Sequence, residues 1–361
     1  MEMKKVLIID GSGDYSFSMS RSLSYCVEYE LHLLALASDK LSPGLKYANC
    51  HYVDGYSDAE RWIEAIEAIV KQYAIDLIIA GSESAIEFLI LHQQRLSLFV
   101  NLPELPSKST FDIAKNKARL SEYISANGLS QPKTFVYRQN VDLAGISELT
   151  FPVLLKLPTE GGGAGIQKFK DESSLKEYLL ANDFSEDVLC QEFIDGRDIC
   201  MSVLCKEGEI TAYTIQQTLI EAPKLYAPAL TVEFLHNENV LSEVSQLMRL
   251  LGWQGVAHID MRLDEKTGQV YVIEINPRFW MSLMASLIAG VNFTWLYCQQ
   301  MQNLSCKFNG YNFIQVIRAK TLCKCLFGGY KSLSPLRLFS MRTGLSFRLY
   351  ALRRFMCSPS K

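Results

Sequence analysis

The 361-residue sequence has no uninterrupted apolar run of about 18 residues, which excludes an obvious membrane-spanning helix. Its opening, MEMKKVLIIDGSGD, offers a short apolar run that reads as a first strand and not as a secretion signal. The ten cysteines are scattered, and no CxxC pair with a matching histidine spacing occurs. That argues against a structural zinc site and for reduced thiols in a cytosol. Cys323 and Cys325 form a lone CxC, read here as incidental. A GK[ST] signature is missing too, so there is no Walker loop. After the first strand, GSG lacks the third glycine of a dinucleotide fingerprint, because Ser16 stands in its place. No clean acid ends the second strand either, so a tight strand-to-helix turn explains GSG better than a nicotinamide site.

Acid is also absent from one whole region. No Asp or Glu follows Glu274, and residues 275–361 carry a charge of +12. With −3 overall, the first 274 residues hold −15. Apolar content of 48% and charged content of 21% are ordinary for a globular protein with room for two or three cored domains.

The first hundred residues alternate strand and helix. KVLIID, LHLLALAS and IDLIIA read as three strands of a parallel βαβ sheet. Between the last two lies the helix YSDAERWIEAIEAIVKQYA, with Ser57 and Glu60 spaced as a capping box and Trp62, Ile66, Ile69 and Tyr73 on one face. Glu83, past the third strand, stands where open α/β sheets bind ligands. It is read either as a contact for a substrate amine or as an acid favoured by the helix dipole. VNLPELPSKST is a proline-rich linker, and FDIAKNKARLSEYISANG a helix stopped by Gly128. PKTFVY, FPVLLKLP, DVLCQEFIDG and RDICMSVLCKEGEITAYTIQQT are β-rich, and ENVLSEVSQLMRLLG is a helix. GVAHIDMRLDEKTGQVYVIEIN reads as a hairpin turning at Asp264 to Gly268.

That hairpin carries the chemistry. Glu274, Asn276 and Arg278 alternate at a strand end and so share a face. Asp260 lies on the opposing strand. Two carboxylates and an amide oxygen are a hard-oxygen set suited to Mg²⁺, which keeps waters and phosphates as its other ligands. Arg278 extends the row as a cation able to stabilise a phosphoryl group in transfer. Upstream, Lys156 ends an apolar strand, and Gly161, Gly162 and Gly163 follow. Backbone N–H groups of such a loop can cradle phosphates. In CQEFIDGRD, Glu192, Phe193 and Ile194 read as a hinge strand whose backbone could meet an adenine edge, with Asp198 placed for ribose hydroxyls.

Together, VLLKLPTEGGGAG, CQEFIDGRD and EINPRFWMSL, with AGVNF after it, resemble the ATP-grasp family of carboxylate–amine ligases. The branch they are most similar to is that of carbamoyl-phosphate-synthase large subunits, here as a single unit. The resemblance implies an α/β chain. A Rossmann-like pre-ATP-grasp domain is expected over residues 1–105 and a two-lobed α+β ATP-grasp fold over 106–308. The small glycine-loop lobe would span about 130–190 and the larger metal-binding lobe about 191–308, followed by a basic amphipathic segment over 309–361. It also implies ATP with Mg²⁺, or Mn²⁺ in its place. Lys117 and Lys156 would be the ATP lysines, with Lys115 competing for the first position because Asn116 stands where the family often has Asp. Glu192, Phe193 and Ile194 would line the adenine and Asp198 would hold the ribose. Asp260, Glu274 and Asn276 would bind metal, and Arg278 would attend the transferred group. Asp260 itself departs from the Glu or Gln common in relatives.

The implied reaction makes an acylphosphate from a small-molecule carboxylate and passes it to an amine. The alternatives are an ATP-dependent carboxylase or kinase-like enzyme without an amine acceptor, and a non-catalytic nucleotide-binding subunit. The tail places Leu345, Leu349 and Leu352 at helical spacing beside Arg348 and Arg353. That suits an anionic membrane surface or a lipid-linked or glycan acceptor, a strap docked on the chain's own acidic remainder, or, least favoured, nucleic acid. A cytoplasmic location, peripheral at the inner membrane surface if the tail binds lipid, is expected, and a homodimer stays open.

Overall fold

A computed structural model describes residues 3–40, 43–139, 142–159, 163, 165–221, 229–304, 308–318 and 336–339. The first sheet is parallel, with strands β1 (Lys4–Ile8), β2 (Tyr29–Leu36), β3 (Asn49–Val53) and β4 (Leu77–Ile79) in the order β3-β2-β1-β4. Helices α1 (Asp14–Leu23), α2 (Ala59–Tyr73) and α3 (Glu83–Leu96) complete this layer. Val6, Leu7 and Ile8 of β1 are wholly buried, as expected of a parallel strand covered on both faces.

The sheet has one strand more than the sequence reading, because β3 was not recognised. NCHYV is short, sits at the sheet edge and is largely solvated, so it lacks the apolar run that marked its neighbours. The helix cap also differs: Asp58, not Ser57, caps α2 by accepting from the Arg61 N–H at 3.2 Å. GSG is indeed a tight turn. Gly11 N–H donates to Leu34 O at 2.8 Å, and a Cβ there would lie 3.0 Å from that oxygen. At the end of β1, buried Asp10 accepts from the N–H groups of Gly81 and Ser82, tying β1 to the start of α3.

The expected helix over 111–128 is two helices, α4 (Lys108–Lys115) and α5 (Lys117–Ala126). Asn116 breaks them with an extended backbone, and its side chain accepts from the N–H groups of Ala118 and Arg119 at 3.0 and 3.1 Å. The short polar side chain competes for backbone donors and wins at a helix start. A second, antiparallel sheet follows, built from β5 (Thr134–Tyr137), β6 (Val153–Lys156), β7 (Gln167–Phe169) and β8 (Val188–Glu192) in the order β5-β8-β6-β7. Helix α6 (Glu172–Ala181) closes one face over a small core of its own, including Val153, Leu155, Leu175, Leu179 and Val188.

The third sheet holds β9 (Arg197–Lys206), β10 (Glu209–Ile220), β11 (Thr231–Phe234), β12 (Gly255–Leu263), β13 (Val270–Asn276), β14 (Gln315–Arg318) and β15 (Leu336–Phe339), in the order β13-β12-β9-β10-β11-β14-β15. Alternation divides its two faces. Ile199, Met201 and Val203 of β9 and Ala257, Ile259 and Met261 of β12 join the core with Val240, Val244 and Leu247 of α7 (Glu238–Leu251). Cys200, Ser202, His258 and Asp260 take the other face, toward the segment that leads into α8 (Leu283–Ala289) and α9 (Phe293–Met301). Gly196, just before β9, passes so close to the hairpin that a Cβ would stand 2.0 Å from Leu263 O.

Among the described residues no helix is long and apolar enough to cross a membrane. The amphipathic stretch expected around Leu345, Leu349 and Leu352 lies outside the described residues. Because Asn116 satisfies two donors at the start of α5, Asn116→Ala is expected to lower the unfolding free energy by about 1 kcal/mol in urea titrations. An unchanged midpoint would remove its capping role.

Candidate functional site

Register builds the site. β12 and β13 pair antiparallel with Asp260 opposite Glu274 and His258 opposite Asn276, and the pairing shifts just beyond Asp260. Apolar Ile259 and Ile275 point the other way, into the core. Burying those two fixes the face on which both carboxylates stand. Asn276 bridges them: its Nδ2 donates to Asp260 Oδ2 at 2.8 Å and, more weakly, to Glu274 Oε1 at 3.5 Å. Its Oδ1 accepts from Arg278 Nη2 at 2.6 Å. The four residues of the hairpin row are therefore one connected cluster.

Two lysines approach this row from other elements. Lys117 is the first residue of α5, and its backbone N–H donates to Pro158 O at 3.1 Å. Its Nζ lies 2.8 Å from Glu274 Oε2. Lys115, the competing candidate, points elsewhere, with Nζ 2.8 Å from Glu87 Oε2 and 3.9 Å from Glu83 Oε1 on α3. Lys156 is buried at the end of β6 and donates to Gln191 Oε1 at 2.6 Å. Burial lowers its pKa to about 8, although Glu274 pulls the other way. The fields of Lys117, Asp198 and Arg262 also reach it, so these groups line one cleft.

The hinge segment is tied into the fold. Glu192 N–H donates to Lys133 O at 2.9 Å and Phe193 N–H to Pro152 O at 3.0 Å. The Glu192 carboxylate accepts from the Thr150 N–H at 2.6 Å. The Phe193 ring lies 3.7 Å from Lys168 Nζ, a cation–π contact. Arg262 fixes the other end, donating to Ile194 O at 3.1 Å and to Asp198 Oδ1 at 2.5 Å. The N–H groups of Glu192 and Phe193 are thus already used, and of the three hinge residues Ile194 is the one left to offer an N–H to a base edge. Gly161 and Gly162 lie outside the described residues. Gly163 has φ +77°, the left-handed region that favours glycine.

The N-terminal layer closes the cleft near Arg278. The guanidinium stands 4.7 Å from the centroid of Tyr15 on α1. Glu83, the first residue of α3, feels Lys115, Arg278 and Lys117, yet burial holds its carboxyl above the usual carboxylate range. Burial also acts to raise Asp260, but the His258 charge and hydrogen bonds from His258, Cys200 and Glu274 outweigh it, and the net direction is down.

The donor set fits a hard divalent cation. Two carboxylates face each other, and the amide N–H₂ that bridges them occupies the position of a positive charge. Asp260 and Glu274 could hold the ion through oxygen. Asn276 would join them through Oδ1 with its amide reversed, since an amide offers oxygen on one side only.

Sequence reasoning passed over Tyr15, Gln191, Cys200, His258 and Arg262. A signal existed for three of them. HIDMR carries His258, Asp260 and Arg262 on alternate positions, and DICMS does the same for Asp198, Cys200 and Ser202. These are the same period-two rows that singled out Glu274, Asn276 and Arg278. Tyr15 and Gln191 come from other elements and gave no local sign.

Residues 114–282 match a family model described as an ATP-grasp domain. The chain is 24% identical over 319 residues to a D-aspartate ligase of Enterococcus faecium, covering 79% of this chain and 74% of that protein. It is 27% identical over 211 residues to a carbamoyl phosphate synthase large chain of Clostridium beijerinckii, covering 55% of this chain but 20% of that protein. In structure it is similar to the biotin carboxylase domain of Hydrogenobacter thermophilus 2-oxoglutarate carboxylase, crystallised as a dimer with MgADP. The TM-score is 0.68 and the identity 19%, with 87% of this chain and 73% of that chain covered.

Burial of Lys156 generates a pH prediction. The folded value of about 8 lies below the ordinary 10.5, so the unfolded chain binds more protons between the two. Unfolding free energy should therefore rise with pH across that window, by up to about 1.4 kcal/mol per pH unit. Urea unfolding of Lys156→Met should lack this component of the slope. An identical slope in both proteins would contradict the burial of a charged lysine.

Proposed function

Residues 114–282 make this chain an ATP-grasp protein, and on that premise we propose that it is an ATP-dependent ligase joining a small-molecule carboxylate to an amine, with release of ADP and phosphate. The observation that carries this reading is the meeting of Lys117, Lys156, Asp260, Glu274, Asn276 and Arg278 in one cleft. Lys117 and Lys156 would neutralise the nucleotide phosphates. The hinge from Glu192 through Phe193 to Ile194 would flank the adenine, and Asp198 would accept from ribose hydroxyls. Gly161, Gly162 and Gly163 would cover the phosphates and exclude water that would otherwise hydrolyse the activated substrate. Asp260, Glu274 and Asn276 would hold magnesium, or manganese in its place, which would withdraw charge from the phosphoryl oxygens.

The substrate carboxylate would attack the γ-phosphorus, breaking the bond to the β-phosphate oxygen. Arg278 would then face the charge spreading over the transferred group. An amine would attack the acyl carbon, and phosphate would leave. Glu83 and Tyr15, on the N-terminal side of Arg278, are proposed to line the substrate end of the cleft. The similarity to a D-aspartate ligase supports an amino acid among the substrates. A carboxylase-like reaction without an amine is the alternative, motivated by the fold it shares with a biotin carboxylase domain.

The finer proposal concerns the acceptor. A charge of +12 with no acid after Glu274 supports a tail that meets an anionic membrane surface, with the acceptor on a lipid carrier or glycan.

An ADP-release screen crossing carboxylates with amines should find pairs that stimulate turnover only when both are present. Bicarbonate alone as the stimulant would favour the carboxylase reading. Glu274→Gln should lower ADP release on the order of 100-fold with an unchanged thermal midpoint, and near wild-type turnover would remove Glu274 from the site. The full chain should pellet with anionic phosphatidylglycerol vesicles more than a chain ending at residue 308. Equal pelleting would refute the tail's role.

A further inference from the structure

We infer that Cys200, His258 and Asp260 form a binding site for a thiol-seeking divalent cation of the zinc class, set in the cleft wall and sharing Asp260 with the acid row. Cys200 on β9 pairs directly opposite Asp260 on β12, and His258 lies two residues before Asp260 on the same face. Cys200 Sγ stands 3.0 Å from Asp260 Oδ1, and His258 Nε2 stands 3.4 Å from that same oxygen. One ligand atom from each residue lies within 4.8 Å of the other two. Zinc with bonds of about 2.0–2.3 Å in tetrahedral geometry separates its ligand atoms by roughly 3.5 Å, so small side-chain adjustments complete the set.

The supporting groups are also in place. Ser202 Oγ lies 2.9 Å from His258 Nδ1, and when it accepts from that nitrogen the Nε2 lone pair is directed at Asp260. Trp280 stacks on the imidazole at 5.6 Å, fixing the ring plane. Cys200 is half-buried, so an ion entering the cleft can reach it. Sulfur and imidazole nitrogen discriminate in favour of zinc, cobalt or cadmium and against magnesium and calcium. Three protein ligands leave a fourth position for water. On binding, the Cys200 S–H bond breaks, the sulfur–metal bond forms, and the proton leaves to solvent. A zinc ion so held draws Asp260 away from the magnesium set. Inhibition by zinc in competition with magnesium is the consequence, and that consequence alone rests on the ligase reading.

Cobalt(II) titration of the full, reduced chain, followed by absorbance, tests the site without reference to catalysis. The expected result is a sulfur-to-cobalt charge-transfer band that saturates at one equivalent, is displaced by zinc, and survives Cys190→Ser. Cys200→Ser should abolish the band. His258→Gln, which keeps the thiol, should weaken cobalt binding on the order of 100-fold and covers the case in which Cys200→Ser does not fold. Absence of the band in the wild-type chain, its persistence in Cys200→Ser, or undiminished affinity in His258→Gln would each overturn the proposal. Zinc inhibition absent despite an intact band would leave the metal site standing and count against the ligase reading instead.

Discussion

Everything in the cleft depends on the pairing of Asp260 with Glu274 across two antiparallel strands. Two carboxylates at such a distance repel each other, and the fold must hold them there. It does so from the opposite face. Ile259 and Ile275, with Met261 and Val272, are locked into the core under α7, and a slip of one residue would bury the acids and expose the aliphatics. Hydrophobic burial thus supplies the force that keeps a polar, mutually repelling row in register.

The same repulsion explains what surrounds the row. Lys117 answers Glu274, Asn276 donates to both acids, and Arg278 reads the far side of Asn276. Lys156 finds Gln191, Asp198 finds Arg262, and Lys115 is occupied with Glu87. Each charge has an internal partner, which limits the cost of holding so many in a narrow cleft. Ligands would exchange these internal partners for their own groups and would not meet bare charges. Affinity in such a cleft is a difference between two well-satisfied states, and it responds to any side chain that alters the resting pairs.

Much of this was legible in the amino-acid sequence, because period-two alternation is local. Glu274, Asn276 and Arg278 declare a shared face by spacing alone, and so does the buried alternation of β9. Continuous apolar runs marked β1, β2 and β4. What escaped notice depended on distance or on weak patterning. Strand β3 is a solvated edge without an apolar run. Asn116 read as a helix interior until its cap geometry showed a break. Which of Lys115 and Lys117 faces the acids is a question about the packing of α5 against β13, to which spacing is blind. The same limit applied to thiols. CxxC spacing tests ligands on one loop, whereas Cys200 and His258 converge from different strands.

The most direct test is a crystal of the protein grown with magnesium and a non-hydrolysable ATP analogue. The account requires metal density between the Asp260 and Glu274 carboxylates, with the terminal phosphates within reach of Lys117, Lys156 and Arg278. A nucleotide bound away from this hairpin, or both carboxylates turned into bulk solvent, would contradict it.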